Sequence, residues 1–73
     1  MRVDVEKLKK KISDAQLSQE DVAKEIGVDY STLFRKMKGG GVGFTIGQAH
    51  QIASLLALTP SEATSIFLAE DLQ

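Results

Sequence analysis

One helix-start pattern occurs five times in this chain of 73 residues. A residue whose side chain can cap a helix follows an apolar residue, and a second apolar residue lies five positions after the first. This is the hydrophobic staple, in which two apolar side chains pack across the first turn of a helix. The repeated pattern leaves room only for short helices joined by tight turns. The capping residues are Asp4, Ser18, Asp29, Thr45 and Thr59.

Other local signals support these starts and indicate where helices end. Pro60 takes the first helical position after its cap, where its missing N–H costs nothing. Gly27 follows Ile26 at the end of the second predicted helix, and Gly39 follows Lys38 at the end of the third. We expect both glycines to adopt the left-handed conformation that terminates a helix. Three starts also have an acid or amide three positions after the cap, the spacing of a capping box. These boxes are Ser18–Asp21, Thr45–Gln48 and Thr59–Glu62.

Apolar residues keep helical spacing between these signals, as Leu33 and Met37 do in the third segment and Ile46, Ala49 and Ile52 do in the fourth. No segment alternates convincingly with the period of two that marks a half-buried strand. The sequence therefore predicts an all-α fold, a compact five-helix bundle that forms a single domain over residues 1–73. The predicted helices lie at 5–13, 19–26, 30–38, 46–57 and 60–69.

The composition offers little for catalysis or cofactor binding. The chain has no cysteine, which excludes disulfides and thiolate chemistry. His50 has no Cys or second His nearby in sequence, so we expect no metal. The chain has no nucleophile–base pair, no HExxH pattern and no acidic cluster in an apolar setting, so we expect no enzyme activity, no cofactor and no small-molecule substrate. The glycine-rich segment at residues 39–43 lacks the following Lys-Ser or Lys-Thr of a phosphate-binding loop. It predicts a connector with close backbone approach.

Charge is divided unevenly along the chain although the net charge is only −1. All nine Lys and Arg residues lie in residues 1–38 with seven acids, which gives that half +2. Residues 39–73 contain three acids and no base, which gives −3. Such asymmetry is typical of a protein with one face for a polyanion, although a solvated surface explains it equally well. No apolar run approaches the roughly 20 residues of a membrane span, and no signal peptide is evident, so we expect a cytoplasmic protein.

Residues 18–35 carry the most specific pattern. Ala23 is small in the middle of the second predicted helix, Gly27 supplies a turn four residues later, and Val28 can fill the angle between two helices. Leu33 then faces the core from the third helix. This spacing is typical of two helices that cross steeply with close backbones. A helix-turn-helix needs it because its second helix must stand clear of the body to enter a major groove.

These residues resemble the Cro and repressor-type helix-turn-helix proteins of bacteria and temperate phages. Residues 17–23, 26–28 and 31–33 follow that family's pattern, and the glycine-rich loop, residues 44–46 and residues 66–67 are similar to very small phage-encoded Cro-like proteins. The resemblance implies a lambda-repressor-like five-helix domain. It also implies a phage or prophage regulator that binds a double-stranded DNA operator as a dimer and represses or switches transcription at the bacterial nucleoid.

The resemblance also implies which residues contact DNA. It assigns Gln19 to a phosphate contact at the start of the second helix. It assigns the groove-facing side of the third helix to Tyr30, Ser31, Phe34 and Arg35, and the lysines near that helix end are expected to contact phosphates. The candidate DNA-binding residues are Gln19, Tyr30, Ser31, Thr32, Phe34, Arg35, Lys36 and Lys38.

One departure from the family and two simpler interpretations bear on this surface. The family usually has a large apolar residue where Lys36 stands, and we expect Met37 to take over its packing role. Tyr30 and Phe34, four residues apart, could instead belong to the core. The lysine run at residues 9–11 could be no more than a solvated helix end, which the helix dipole favours.

The sequence leaves two alternatives for the binding partners of this chain. The C-terminal third is apolar, and a core this small cannot hold all of its apolar side chains, which predicts a weak homodimer through the fifth helix, including one that forms only on DNA. The alternative is a helical protein–protein adaptor, such as an antirepressor. DNA retention that falls steeply with salt favours the first function. The apolar residues are Leu55, Leu56, Leu58, Ile66, Phe67, Leu68 and Leu72.

Overall fold

A computed structural model describes residues 3–39 and 44–68 of the chain. These residues form five helices and no strand, which confirms the all-α prediction. No helix within these two stretches is long and apolar enough to cross a membrane. The predicted glycine-rich connector, apart from Gly39, lies outside the described residues, as does Leu72. The helices are α1 (Val5–Asp14), α2 (Gln19–Ile26), α3 (Tyr30–Lys38), α4 (Ile46–Leu55) and α5 (Pro60–Phe67).

Helix starts follow the predicted caps closely. The Asp4 carboxylate accepts a hydrogen bond from the backbone N–H of Lys7 at 3.2 Å. All three predicted capping boxes are closed in both directions, at the starts of α2, α4 and α5. Asp29 does occupy the cap position of α3, but its side chain makes no capping hydrogen bond. The predicted side-chain cap of α3 is therefore wrong, although the helix begins where expected.

Three interhelical turns share one left-handed geometry. Gly27 has φ +74°, as predicted, and the next residue, Val28, donates its N–H to Ala23 O at 3.0 Å. Gln16 and Ala57 adopt φ values of +59° and +53°. The next residue in each case donates its N–H to a carbonyl five positions earlier, Leu17 to Ile12 O and Leu58 to Ala53 O. Such bonds satisfy carbonyls that would otherwise be left open at a helix end.

Three predicted helix ends need correction. Gly39 was expected to be left-handed, but its φ is −83° and its N–H continues the helical pattern to Arg35 O at 3.0 Å. The fourth helix was expected to reach residue 57, but α4 ends at Leu55 because the chain turns left-handed at Ala57. The fifth helix ends at Phe67 and Leu68 is already outside it, whereas the expected end, residue 69, lies outside the described residues.

The core lies between α2 and the helices around it. α2 packs against both α3 and α4, while α1 packs against α5. Ile46 was expected on the apolar face of α4, but it is 84% exposed. It lies about 120° around the helix from the fully buried Ile52, which turns it outward. Within the described stretches, the buried residues are Val3, Leu8, Ile12, Val22, Ala23, Ile26, Leu33, Met37, Phe44, Ala49, Ile52, Ile66 and Phe67.

Polar contacts join α1 to α5. The backbone N–H of Asp4 donates to Ile66 O at 2.7 Å, and Lys7 Nζ donates to Ser65 Oγ at 2.6 Å. Lys11 Nζ forms a hydrogen-bonded ion pair with the Glu62 carboxylate. That hydrogen bond, together with one from the backbone N–H of Thr59, lowers the pKa of Glu62 to about 2.

Candidate nucleic-acid interface

The predicted turn between the second and third helices occurs in the structure as residues 27–29. The small side chain of Ala23 is buried at 3% exposure and lets a neighbouring helix approach α2 closely. Val28 is half-buried against the core. The left-handed Gly27 reverses the chain between α2 and α3, which pack directly against each other. These local features place α3 beside α2 at the surface of the bundle.

The inner face of α3 is formed by Leu33 and Met37, which are 0% and 3% exposed. Met37 therefore takes the packing role that Lys36 cannot fill, as predicted. With about 100° of rotation per residue, Arg35 lies about 160° around the helix from both core residues. The exposed Ser31 lies one turn before Arg35 on the same side. This side, called the outward face, is formed by Ser31 and Arg35.

Two aromatic side chains lie on one flank of α3. Tyr30 and Phe34 are 47% and 48% exposed, so they are not core residues. Their ring centroids are 6.3 Å apart and their planes are inclined by 36°. They line a cleft of about 260 Å³ between α1, α2 and α3, which we call the α1–α3 cleft. Its lining residues are Lys9, Gln19, Tyr30, Phe34, Met37 and Lys38.

The α1–α3 cleft brings together half of the candidate DNA-binding residues. Gln19, in the first turn of α2, lines the cleft together with Tyr30, Phe34 and Lys38 of α3. At least ten positions separate Gln19 from these residues in sequence. Lys9 of α1 also lines the cleft, and sequence reasoning did not select it. The run at residues 9–11 gave no signal that distinguishes this lysine from its neighbours, because the distinction depends on how α1 packs.

Lys36 lies on the opposite flank of α3. Its Nζ is 5.7 Å from the centre of the Phe44 ring, within the range of a cation–π interaction. Phe44 is buried at 6% exposure, just before α4. Thr32 is half-buried and lies about 40° around α3 from Lys36. The structure therefore separates these two candidates from the α1–α3 cleft.

The ionisable side chains of α3 that are charged at neutral pH are all basic. α3 contains no acidic residue, and Arg35, Lys36 and Lys38 fall in its last turn, where the helix dipole favours cations. None of the residues that line the α1–α3 cleft is acidic. The side chains offer guanidinium, ammonium, hydroxyl and amide donors, which suit phosphate oxygens and base edges.

Two other clefts differ in character. One lies between α1 and α5, where Lys7 and Lys11 are already bonded to Ser65 and Glu62. The other, of about 340 Å³, is apolar and lies between α4 and α5. Among residues 3–39 and 44–68 no group of three or more His, Cys, Asp or Glu residues could hold a metal ion. The α4–α5 cleft is lined by Ile46, Ala49, His50, Ala53, Ala63, Thr64, Phe67 and Leu68.

Comparison of the chain with protein-family models, with curated proteins and with solved structures found no match.

Proposed function

We propose that this protein is a sequence-specific DNA-binding transcriptional regulator, a Cro-like repressor of phage or prophage origin, which reads the major groove with α3. In this proposal the α2–α3 pair acts as a helix-turn-helix. The operator lies in bacterial DNA, so the protein acts at the nucleoid in the cytoplasm.

The observation that carries the proposal is the outward face of α3. Ser31 and Arg35 point away from the buried Leu33 and Met37, on a helix without acidic residues. A recognition helix needs this arrangement, because one side must anchor it to the domain while the other contacts base edges. The planar fork of Arg35 suits the O6 and N7 atoms of guanine.

The two flanks of α3 fit the two walls of the groove. An α-helix with its side chains is about 10–12 Å wide, close to the roughly 12 Å width of the major groove. Groups beside the outward face therefore meet the sugar–phosphate backbones. Gln19 and Lys38 are assigned to one backbone, together with the aromatic edges of Tyr30 and Phe34. Lys36, with Thr32 beside it, faces the other backbone.

Selection from a random duplex library tests this function. We expect one enriched motif, and affinity for it at least about 10³-fold above that for mixed-sequence DNA at physiological salt. Footprinting on intergenic DNA near the gene locates the natural operator. If no motif is enriched and no DNA is retained at low salt, the DNA-binding proposal is overturned.

A weak homodimer belongs to the same proposal, since helix-turn-helix readers usually bind paired half-sites. Ile66 and Phe67 of α5 are buried in the monomer's own core, and Leu55, Leu56 and Leu58 pack partly against it. We therefore propose the α4–α5 cleft as the dimer surface, with a second copy as its occupant. Ile46 and Leu68, at 84% and 39% exposure, remain there for the partner to cover.

The same cleft supports the protein-adaptor function as a second candidate. An exposed apolar surface can mark a protein interaction site. An adaptor needs no DNA, so it predicts co-purification of a different protein and no salt-dependent retention on a DNA column. The selection and the retention experiment therefore distinguish the two functions.

A further inference from the structure

We infer that Lys9 of α1 contacts the DNA backbone, so that the phosphate-binding surface extends over three helices. This inference rests on the proposed function and names a residue that the sequence did not indicate. It assigns Lys9, Gln19 and Lys38, around the α1–α3 cleft, to the phosphates of one strand.

The three lysines of residues 9–11 lie in three different surroundings. Lys11 is paired with Glu62 of α5, and that hydrogen bond raises the pKa of its ammonium group. Lys10 lines the α1–α5 cleft, where Asp14 and Glu62 supply negative charge. Lys9 alone of the three lines the α1–α3 cleft, where no lining residue is acidic. An anion that enters this cleft from outside the protein therefore reaches the exposed Lys9 without meeting an acidic lining residue.

The surroundings of Lys9 match a phosphate better than a base. The cleft lies on the Tyr30–Phe34 flank of α3, beside the outward face that Ser31 and Arg35 form. When α3 fills the groove, groups on this flank meet the groove wall, where the phosphates lie. Lysine binds phosphate as a point charge, and the Gln19 amide can add a hydrogen bond. Such contacts fix how a reading helix is oriented on the duplex.

The cleft combines an apolar lining with charged groups. Tyr30 and Phe34 are about half exposed and line it beside Lys9 and Lys38, and both lysines are exposed to solvent. Phosphates of neighbouring nucleotides can then meet the two lysines without burying either charge inside the protein. Contacts of this kind release condensed counterions, which makes their contribution measurable as a salt dependence.

Lys9→Gln and Lys10→Gln form a matched pair for the test. Both remove one positive charge from neighbouring positions of α1. Binding of the full chain to a mixed-sequence duplex of about 20 base pairs, long enough for two half-sites, is measured by fluorescence anisotropy over a range of salt. We expect Lys9→Gln to reduce the slope of log affinity against log salt by about 0.9 per bound copy, equivalent to about eightfold weaker binding at 0.1 M salt. Lys10→Gln should change the slope by less than half as much.

Three further results decide the inference. Lys9→Arg should restore the wild-type slope, because it retains the charge, and thermal melting should show all three variants folded. Equal slopes for Lys9→Gln and Lys10→Gln, with intact DNA binding by the wild type, would overturn the role of Lys9 and leave the proposed function standing. Absence of any DNA binding by the wild type would overturn the proposed function itself.

Discussion

The ammonium group of Lys36 lies 5.7 Å from the centre of the Phe44 ring, so a charged side chain of α3 covers an aromatic residue that precedes α4. From the resemblance described in the sequence analysis, we expected an apolar residue at this position of the third helix. Here Met37 supplies the apolar contact, and Lys36 contributes through its charge and its methylene stem. The rotation of α3 is thereby fixed with Arg35 pointing outward.

Replacing Lys36 should lower stability more than replacing Lys38. Lys36→Gln removes the charge over Phe44 but keeps an unbranched side chain of similar helix propensity, without the sulfur–aromatic contact that a methionine would add. We expect a loss of about 0.5–1 kcal/mol in the free energy of unfolding, measured by urea denaturation. Lys38→Gln is the control, because it removes a charge from the same helix end, and its effect should stay within about 0.5 kcal/mol. Equal losses in the two variants would contradict a stabilising contact with Phe44.

The two glycines that follow helices should respond oppositely to alanine. Gly27 has φ +74° and open space where the methyl group of an alanine would lie, so Gly27→Ala meets backbone strain alone and should cost about 1–2 kcal/mol. Gly39 has φ −83°, and a Cβ there would meet Arg35 O at an ordinary 3.4 Å. Gly39→Ala should be neutral or stabilise by up to about 1 kcal/mol, because it restricts the unfolded chain. Thermal and urea denaturation measure the stability of both variants. A loss in Gly39→Ala as large as that in Gly27→Ala would mean that Gly39 is left-handed after all, which would contradict the prediction.

Local signals explain why most of the fold could be predicted. Caps and boxes act within four residues, so Ser18 and Thr59 reveal helix starts without knowledge of the rest of the chain. The left-handed turns at Gln16 and Ala57 gave no such signal, because neither residue favours that conformation.

The candidate site divides in the same way. The pattern around Gly27 located α3, and the burial of Leu33 and Met37 agreed with helical spacing. The different surroundings of Lys9 and Lys10 could not be predicted, since they depend on how α1 packs in the bundle and which cleft each lysine lines. The exposure of Ile46 was also missed, because an apolar residue at helical spacing is assigned to the core by default.

Acid should weaken the fold through Glu62. Its pKa falls from 4.5 to about 2 in the folded protein, first because of the hydrogen bond from Lys11. The stability that follows from this shift is fully present above about pH 4.5 and is lost as the pH falls toward 2. Glu62→Gln keeps an acceptor for the Thr59 N–H but removes the charge, so its unfolding free energy should depend less on pH in this window.

Lys11→Met provides the matched test, since it removes the partner and should flatten the same part of the curve. Asp21 also has a lowered pKa, caused first by the Ser18 backbone N–H, so both variants should retain a residual acid sensitivity. Urea denaturation at a series of pH values measures the difference. A Glu62→Gln curve parallel to that of the wild type down to pH 2 would show that the ion pair has no effect on stability.

Ile46→Ser should weaken the proposed dimer without unfolding the monomer. Ile46 is 84% exposed at the edge of the α4–α5 cleft, so its removal costs the isolated chain little. Sedimentation should show concentration-dependent association for the wild type, or association on operator DNA, and a loss of it in the variant. Phe34→Ser is the control in the absence of DNA, because Phe34 is exposed on a different face. The dimer would be ruled out if the wild type is a monomer when free and also binds as one copy per site at saturating operator.

Arg35 and Lys38 should differ in how they affect recognition. Arg35 lies on the outward face, where a bidentate bond to guanine contributes about 1–3 kcal/mol of discrimination. Arg35→Ala should therefore weaken binding to the selected motif and relax its preference at one base pair. Lys38 lines the α1–α3 cleft, so Lys38→Ala should weaken motif and mixed-sequence DNA about equally and lower the salt slope by about 1. Anisotropy titrations on both duplexes give the ratio of affinities. If Arg35→Ala leaves that ratio unchanged, Arg35 does not read a base, and the outward face of α3 does not face the groove floor as proposed.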